Sequence, residues 1–276
     1  MVESNVRKTS TVRTARPEDI ATMVEIDMKN FRGVYQGYDT SEEEMRSELI
    51  EKFTGRFKKT GGDWIQIYEE DGQIRGYMMS CPTSKTPEEF KSWEQTTDDG
   101  TLETTYDPKG KNIYVVSLAM ENCGEAARNR VFVNQIGKMV EGGYRQLYFE
   151  SRLPRLRTWT RRQCRKEGRD FDTLTEDDKF AYANDYFKAT AKDRKGNDVA
   201  LDPLIRMYAG VGCTFPKIAA NAYVDEPSMN FGVVGVLKNP MPQKLQGNRL
   251  VQRVVGGGMR RLSRMSAFSK IAEKMF

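Results

Sequence analysis

The sequence predicts a mixed α/β fold, one sheet with helices on both faces. Three observations carry this. Strand-like and helix-like stretches follow one another along residues 11–237 as strand, helix, helix, three strands, helix, strand, a long insert, helix and two strands. Residues 112–120, NIYVVSLAM, are a nearly continuous apolar run of the kind that fills a sheet centre. Asp71-Gly72 joins DWIQIYE to QIRGYMMSC and predicts an antiparallel hairpin.

In order, TVRTAR (11–16) reads as a strand. Pro17-Glu18-Asp19 opens a helix, because a first-turn proline loses no hydrogen bond and acids meet the positive end of the dipole. Ile20, Met23, Val24 and Ile26 recur there at helical spacing, and Phe31 closes the pattern. A second helix covers 41–54, with a Ser41/Glu44 capping box and an apolar stripe of Met45, Leu49, Ile50 and Phe53; Thr60-Gly61-Gly62 then breaks the chain. The hairpin strands are 63–69 and 73–81, and the polar, Pro/Gly-punctuated stretch 84–111 is an excursion from the sheet. The strand 112–120 leads to a helix over 126–142, stopped by Gly142-Gly143, and to a strand over 144–150. Residues 151–200 form a basic-then-acidic insert with helical patches at about 176–192. Pro203 starts a short helix ending near Gly210, and strands at about 217–224 and 230–237 complete the body.

Composition narrows the chemistry. The 276 residues include 44 Lys+Arg, 39 Asp+Glu, four Cys and no His. Without histidine, this chain cannot build Ser-His-Asp or Cys-His catalysis, nor a His-ligated metal site. Cys81, Cys123, Cys164 and Cys213 are scattered, so neither a zinc site nor a disulfide framework is expected. No apolar run is long enough to span a membrane and the N-terminus lacks a signal-like apolar region, which together point to a cytoplasmic protein. Charge is uneven. From Lys238 onward nine Lys and Arg stand against Glu273 alone, a net +8, leaving the first 237 residues near −3. That tail opens on Pro240 and Pro242 and is broken by Gly256-Gly257-Gly258. Met259, Leu262, Met265, Phe268, Ile271, Ala272 and Met275 then recur at helical spacing. This basic amphipathic helix could meet an anionic membrane surface, nucleic acid, a partner or the chain's own body. The organisation expected is a flexible 1–10, a domain over 11–237 with its insert at 151–200, and a tail over 238–276.

Three local stretches resemble the GNAT acyltransferase superfamily. Val12-Arg13-Thr14-Ala15-Arg16-Pro17-Glu18-Asp19-Ile20 is similar to its opening strand and helix. Residues 113–150 are similar to its central strand–loop–helix–strand, with Gly143-Tyr144 ahead of an apolar strand. Asp202-Pro203-Leu204-Ile205-Arg206-Met207-Tyr208-Ala209-Gly210-Val211-Gly212 is similar to its fourth helix, which carries a Tyr before a Gly. The likeness covers about 11–237. It implies a mostly antiparallel sheet with two central splayed parallel strands, here 113–120 and 144–150. A narrower likeness joins Ser151-Arg152-Leu153-Pro154, Tyr182, Asn221-Ala222-Tyr223-Val224 and Phe231-Gly232-Val233-Val234 to a branch found alone or fused to nitrilase-like amidase domains.

The resemblance implies a site. Acyl-CoA, acetyl-CoA first, would lie between the splayed strands along Leu118 and Met120. Its pyrophosphate would sit at Gly124, Glu125, Ala126, Ala127 and Arg128, with no metal. The family's basic first position is Glu121 here, and Glu125 adds a carboxylate beside the expected phosphates. Tyr208 would be the general acid that protonates the leaving thiolate. Glu150 and Glu121, at the ends of the two strands, are the candidate bases for an amine acceptor, while Cys123 reads as an inert thiol. Arg152, Arg155, Arg157, Arg161 and Arg162 would make the insert basic on the acceptor side, suiting an anionic acceptor. The first function implied is N-acyl transfer from acyl-CoA to a small-molecule amine. The alternatives are a GNAT-fold transferase using aminoacyl-tRNA or another non-CoA donor, and a non-catalytic GNAT-like module binding a partner or membrane through its tail.

Overall fold

The computed structural model describes residues 9–35 and 40–265. Its strands are β1 (Ser10–Thr14), β2 (Ile65–Glu70), β3 (Gln73–Thr83), β4 (Asn112–Met120), β5 (Gln146–Arg152), β6 (Thr190–Lys192), β7 (Asp198–Ala200), β8 (Thr214–Ala219) and β9 (Gly232–Lys238). Its helices are α1 (Ile20–Asn30), α2 (Arg32–Tyr35), α3 (Glu42–Thr60), α4 (Trp93–Thr97), α5 (Glu125–Gly142), α6 (Leu156–Glu167), α7 (Glu176–Lys188), α8 (Pro203–Gly210) and α9 (Arg249–Arg264). Seven strands form one sheet in the order β1-β2-β3-β4-β5-β9-β8, and β6 and β7 pair separately. Every neighbouring pair of the large sheet is antiparallel except β4 and β5.

Local chemistry explains most boundaries. Asp71 (φ 51°) and Gly72 (φ 76°) are both left-handed, the conformation that a two-residue hairpin turn requires. The hydroxyl of Ser41 accepts from the Glu44 amide while Glu44 accepts from the Ser41 amide, which caps α3. Asp202 accepts from the amides of Leu204 and Ile205 at the start of α8, and Pro203 takes the position that needs no donor.

Two apolar layers sandwich the sheet. One joins α1 and α3 to Ile67, Tyr77, Tyr114 and Tyr148. The other joins α5 and α8 to Ile113, Leu147 and Phe149. Successive strand residues feed opposite layers, as the pleat demands.

Three expectations change. The strand expected at 217–224 is β8, Thr214–Ala219, and residues 226–228 form a 3-10 turn. A register shift between Thr214 and Lys217 on this edge strand accommodates Pro216, which has no amide to donate. The insert holds α6 and the β6/β7 hairpin besides α7. The glycine triplet does not break the tail: α9 runs through it and lies along α5. A Cβ on Gly256 would come within 2.5 Å of the Gly137 carbonyl oxygen and the Glu141 amide nitrogen, so glycine is what lets the two backbones approach. Phe268, Ile271, Ala272 and Met275 lie outside the described residues.

Candidate active site

The parallel pair is short. β4 and β5 are in register only from Asn112↔Gln146 to Tyr114↔Tyr148. Beyond that, β4 continues to Met120 and β5 to Arg152, each held only by its outer neighbour, β3 or β9. A bulge accompanies the parting: Ser80 faces Val115 and Met79 faces Ser117, so Val116 has no partner on β3. The Val116 carbonyl instead accepts from the Trp93 indole N–H at 2.9 Å. Bulges bend a strand and raise its twist, and here the bend turns β4 away from β5. The result is a slot in mid-sheet with main-chain polar groups along both sides.

One face of the slot is apolar. Leu118 and Met120 pack into the same layer as Ala127, Phe149 and Tyr208. β4 leads to Asn122 (φ 50°) and then to Gly124, which caps α5 without any side-chain hydrogen bond. Space over Gly124 is open, Glu125 is exposed, and Ala126 is half-buried. The first-turn amides of an α-helix lack intrahelical acceptors and attract anions. Arg128 donates to the Cys123 carbonyl at 3.2 Å, and its Nε is buried without a partner among the described residues. Tyr208 stands behind this turn, its ring 4.4 Å from Phe149 and 5.8 Å from Phe132. Its hydroxyl makes no hydrogen bond among the described residues. Burial, then the nearby Cys213, push its pKa up against the opposing Arg128, so the phenol keeps its proton.

The other face is polar at depth. Glu150 is two residues beyond Tyr148 and shares its side of β5. The Tyr114 hydroxyl donates to Glu150 Oε2 at 2.6 Å, while Oε1 is buried with no partner among the described residues. Burial raises the Glu150 pKa to about 8, with Tyr114 opposing the rise and Glu94 adding to it. Asp27 offers a contrast nearby. Both its oxygens are taken, by the Tyr35 and Tyr77 hydroxyls, although burial raises its pKa too. Tyr223 is a further phenol near the slot: burial first, then the charges of Glu150 and Tyr208, hold its pKa well above the usual value.

The sequence-derived candidates thus divide. Tyr208, Leu118, Met120 and Ala127 share one apolar layer, beside the Gly124–Arg128 turn, and Glu150 occupies the opposite face. Glu121 is outside this group, its Oε1 3.1 Å from Lys29 Nζ. Cys123 has a pKa raised by burial to about 11, which leaves it a thiol. Two of the insert arginines have acid partners, Arg152 with Asp225 and Arg157 with Glu226, and Arg157 and Arg161 lie over the Phe171 ring. Trp93, Glu94, Tyr114 and Tyr223 were missed. Tyr114 pairs with Tyr148 where the parallel register ends, a relation that only the structure reveals. No group of acids and cysteines suited to a metal occurs among the described residues.

No protein-family model matches this chain. No curated protein matches it either. Solved structures do. The chain is similar to the GphF GNAT-like decarboxylase in complex with isobutyryl-CoA, at 16% identity and a TM-score of 0.52, over 83% of this chain and 98% of that one. It is similar to the loading GNATL domain of CurA from Lyngbya majuscula, at 14% identity and a TM-score of 0.54, again over 83% and 98%. At such identities the likeness is one of architecture, and with the splayed β4/β5 pair it establishes that the chain has the GNAT fold.

Proposed function

We propose that this protein is an N-acyltransferase that moves an acyl group from acyl-CoA directly to an amine. The observation that carries the reading is the pair of proton-handling groups on opposite faces of one slot: a protonated phenol at Tyr208 and a carboxyl at Glu150 whose pKa lies near 8. The isobutyryl-CoA held by GphF on this fold supports a CoA thioester as donor, with acetyl-CoA the simplest case.

The donor's pantetheine would pair with the free main chain of β4 beside Leu118 and Met120, as an added strand pairs with an edge. Its pyrophosphate would meet the amides of Glu125 and Ala126 and the Arg128 side chain. The amine would approach from the Glu150 side. Its nitrogen forms a bond to the thioester carbonyl carbon, the C–S bond breaks, and the sulfur leaves as thiolate. Glu150 takes the proton lost by the amine, and Tyr208 gives its proton to the sulfur. Glu150 is mostly protonated at pH 7, so its basic form grows as pH rises through about 8. The rate should rise over the same interval.

Calorimetric titration with acetyl-CoA and isobutyryl-CoA tests the donor. Saturable binding of either, lost on Gly124→Trp, supports the reading. No heat at millimolar ligand, with the protein folded and free of copurified RNA, would reject it.

A further inference from the structure

The helix α9 holds the fold with one face only. Gln252, Gly256 and Ser263 are buried against α5, Asn134 Nδ2 donates to Ser263 Oγ at 2.8 Å, and Arg260 pairs with Glu141 at 2.6 Å. The opposite face is open. Leu250 is 73% exposed and Val254, one turn on, is 67% exposed; no other large apolar side chains among the described residues are as bare. Arg253, Arg261 and Arg264 project from the same half of the helix, and all three are exposed, as is Arg249. From Pro240 to Met265 the sequence contains no Asp or Glu. Among the described residues, Arg260 alone of that stretch's Lys and Arg has an acid partner.

We propose that this face docks the protein on an anionic lipid bilayer. Leu250 and Val254 enter the interface, and Arg249, Arg253, Arg261 and Arg264 meet lipid phosphates. Both aliphatic side chains lie mostly in solvent, so both can enter the interface at little cost to the fold. The arginines are spaced along the helix, as an in-plane amphipathic helix requires. A nucleic acid would reward the arginines and gain nothing from the exposed aliphatics. A second copy would bring like charges together. No helix among the described residues is long and apolar enough to cross a membrane, so the contact is interfacial. This inference stands apart from the acyl-transfer reading, since no residue of the slot takes part.

The test is co-sedimentation of the full chain with vesicles of phosphatidylcholine alone and of phosphatidylcholine mixed with phosphatidylglycerol. Binding is expected only to the anionic vesicles, and high salt should reverse it. Arg253→Gln with Arg261→Gln should weaken the partition by roughly fivefold for each charge. Leu250→Ser with Val254→Ser should weaken it by about tenfold. Melting temperatures should not move, because these side chains lie in solvent. Absence of binding to anionic vesicles at low salt overturns the proposal. Undiminished binding of the Leu250/Val254 variant also overturns it, by reducing the face to a patch for any polyanion, as does binding of RNA without binding of vesicles.

Discussion

The two faces of the β4/β5 slot differ in how they hold a proton. On the α5 side, Tyr208 is wrapped in Phe149 and Phe132 and has no polar partner among the described residues. Burial keeps a phenol there protonated, a state in which it can only donate. On the α1 side, Glu150 has one oxygen on the Tyr114 hydroxyl and the other without a partner among the described residues. The same burial lifts a carboxyl from about 4.5 to about 8, into the range where it exchanges a proton at working pH. Desolvation acts alike on both, and residue type decides which group keeps its proton and which exchanges one at working pH, the basis of the acid and base roles proposed for them. Glu121, just beyond the end of β4, is paired with Lys29 instead of with a buried phenol.

Breaking the polar side should have the largest effect. Glu150→Gln is expected to lower turnover by roughly 10²–10⁴-fold and to remove the rise through about pH 8, read from a pH–rate profile. The same variant has a signature in stability. Between about pH 4.5 and 8 the folded chain retains a proton at Glu150 that the unfolded chain releases, so this group makes folding less favourable as pH rises. In Glu150→Gln, denaturant midpoints should lose that part of their pH dependence. An unchanged pH–rate profile would remove Glu150 from the base's role.

Breaking the apolar side should cost less. Tyr208→Phe keeps the ring against Phe149 and is expected to lower kcat by about 10²-fold with KM for the donor held. Wild-type turnover would show that another group, or water, protonates the thiolate. Away from the slot, Gly256→Ala should destabilise by about 1–3 kcal/mol, because the new methyl meets backbone atoms that cannot give way. Thermal unfolding should fall by roughly 2–10 °C, and an unmoved midpoint would mean α9 contributes nothing to the domain. The smallest change is expected from Glu125→Gln. That side chain is exposed, so relief of its repulsion toward a pyrophosphate is screened and should tighten the donor by less than about threefold at low salt.

Much of this frame could be read from the chain in sequence order because its signals are local. The Ser41/Glu44 box, the Asp71-Gly72 turn, Gly143 (φ 66°) and Pro203 each set a boundary within a few residues of themselves. What escaped was non-local. Trp93 lies in a polar excursion that looked irregular, and its importance comes from reaching Val116 on β4. The Gly256 triplet reads as a breaker in an isolated helix, and only the crossing with α5 gives it another use. Glu121 and Glu150 looked equivalent because both end a strand; one finds a lysine and the other a buried phenol.

The bulge at Val116 also bears on the order in which the molecule acquires its parts. Zipping β4 fully onto β5 would satisfy more backbone groups, each hydrogen bond being worth about 1 kcal/mol net. The open slot is therefore a local frustration of the sheet, maintained against that gain by the remote Trp93 indole and by the bend. Trp93 itself is anchored where its amide donates to the Ala222 carbonyl, far along the chain. Such long-range closures are entropically the slowest to form. The local hairpins of the sheet can pair before them, whereas the aperture awaits both the excursion and the segment around Ala222, so the opening proposed to take the donor is expected to be among the last native features to form.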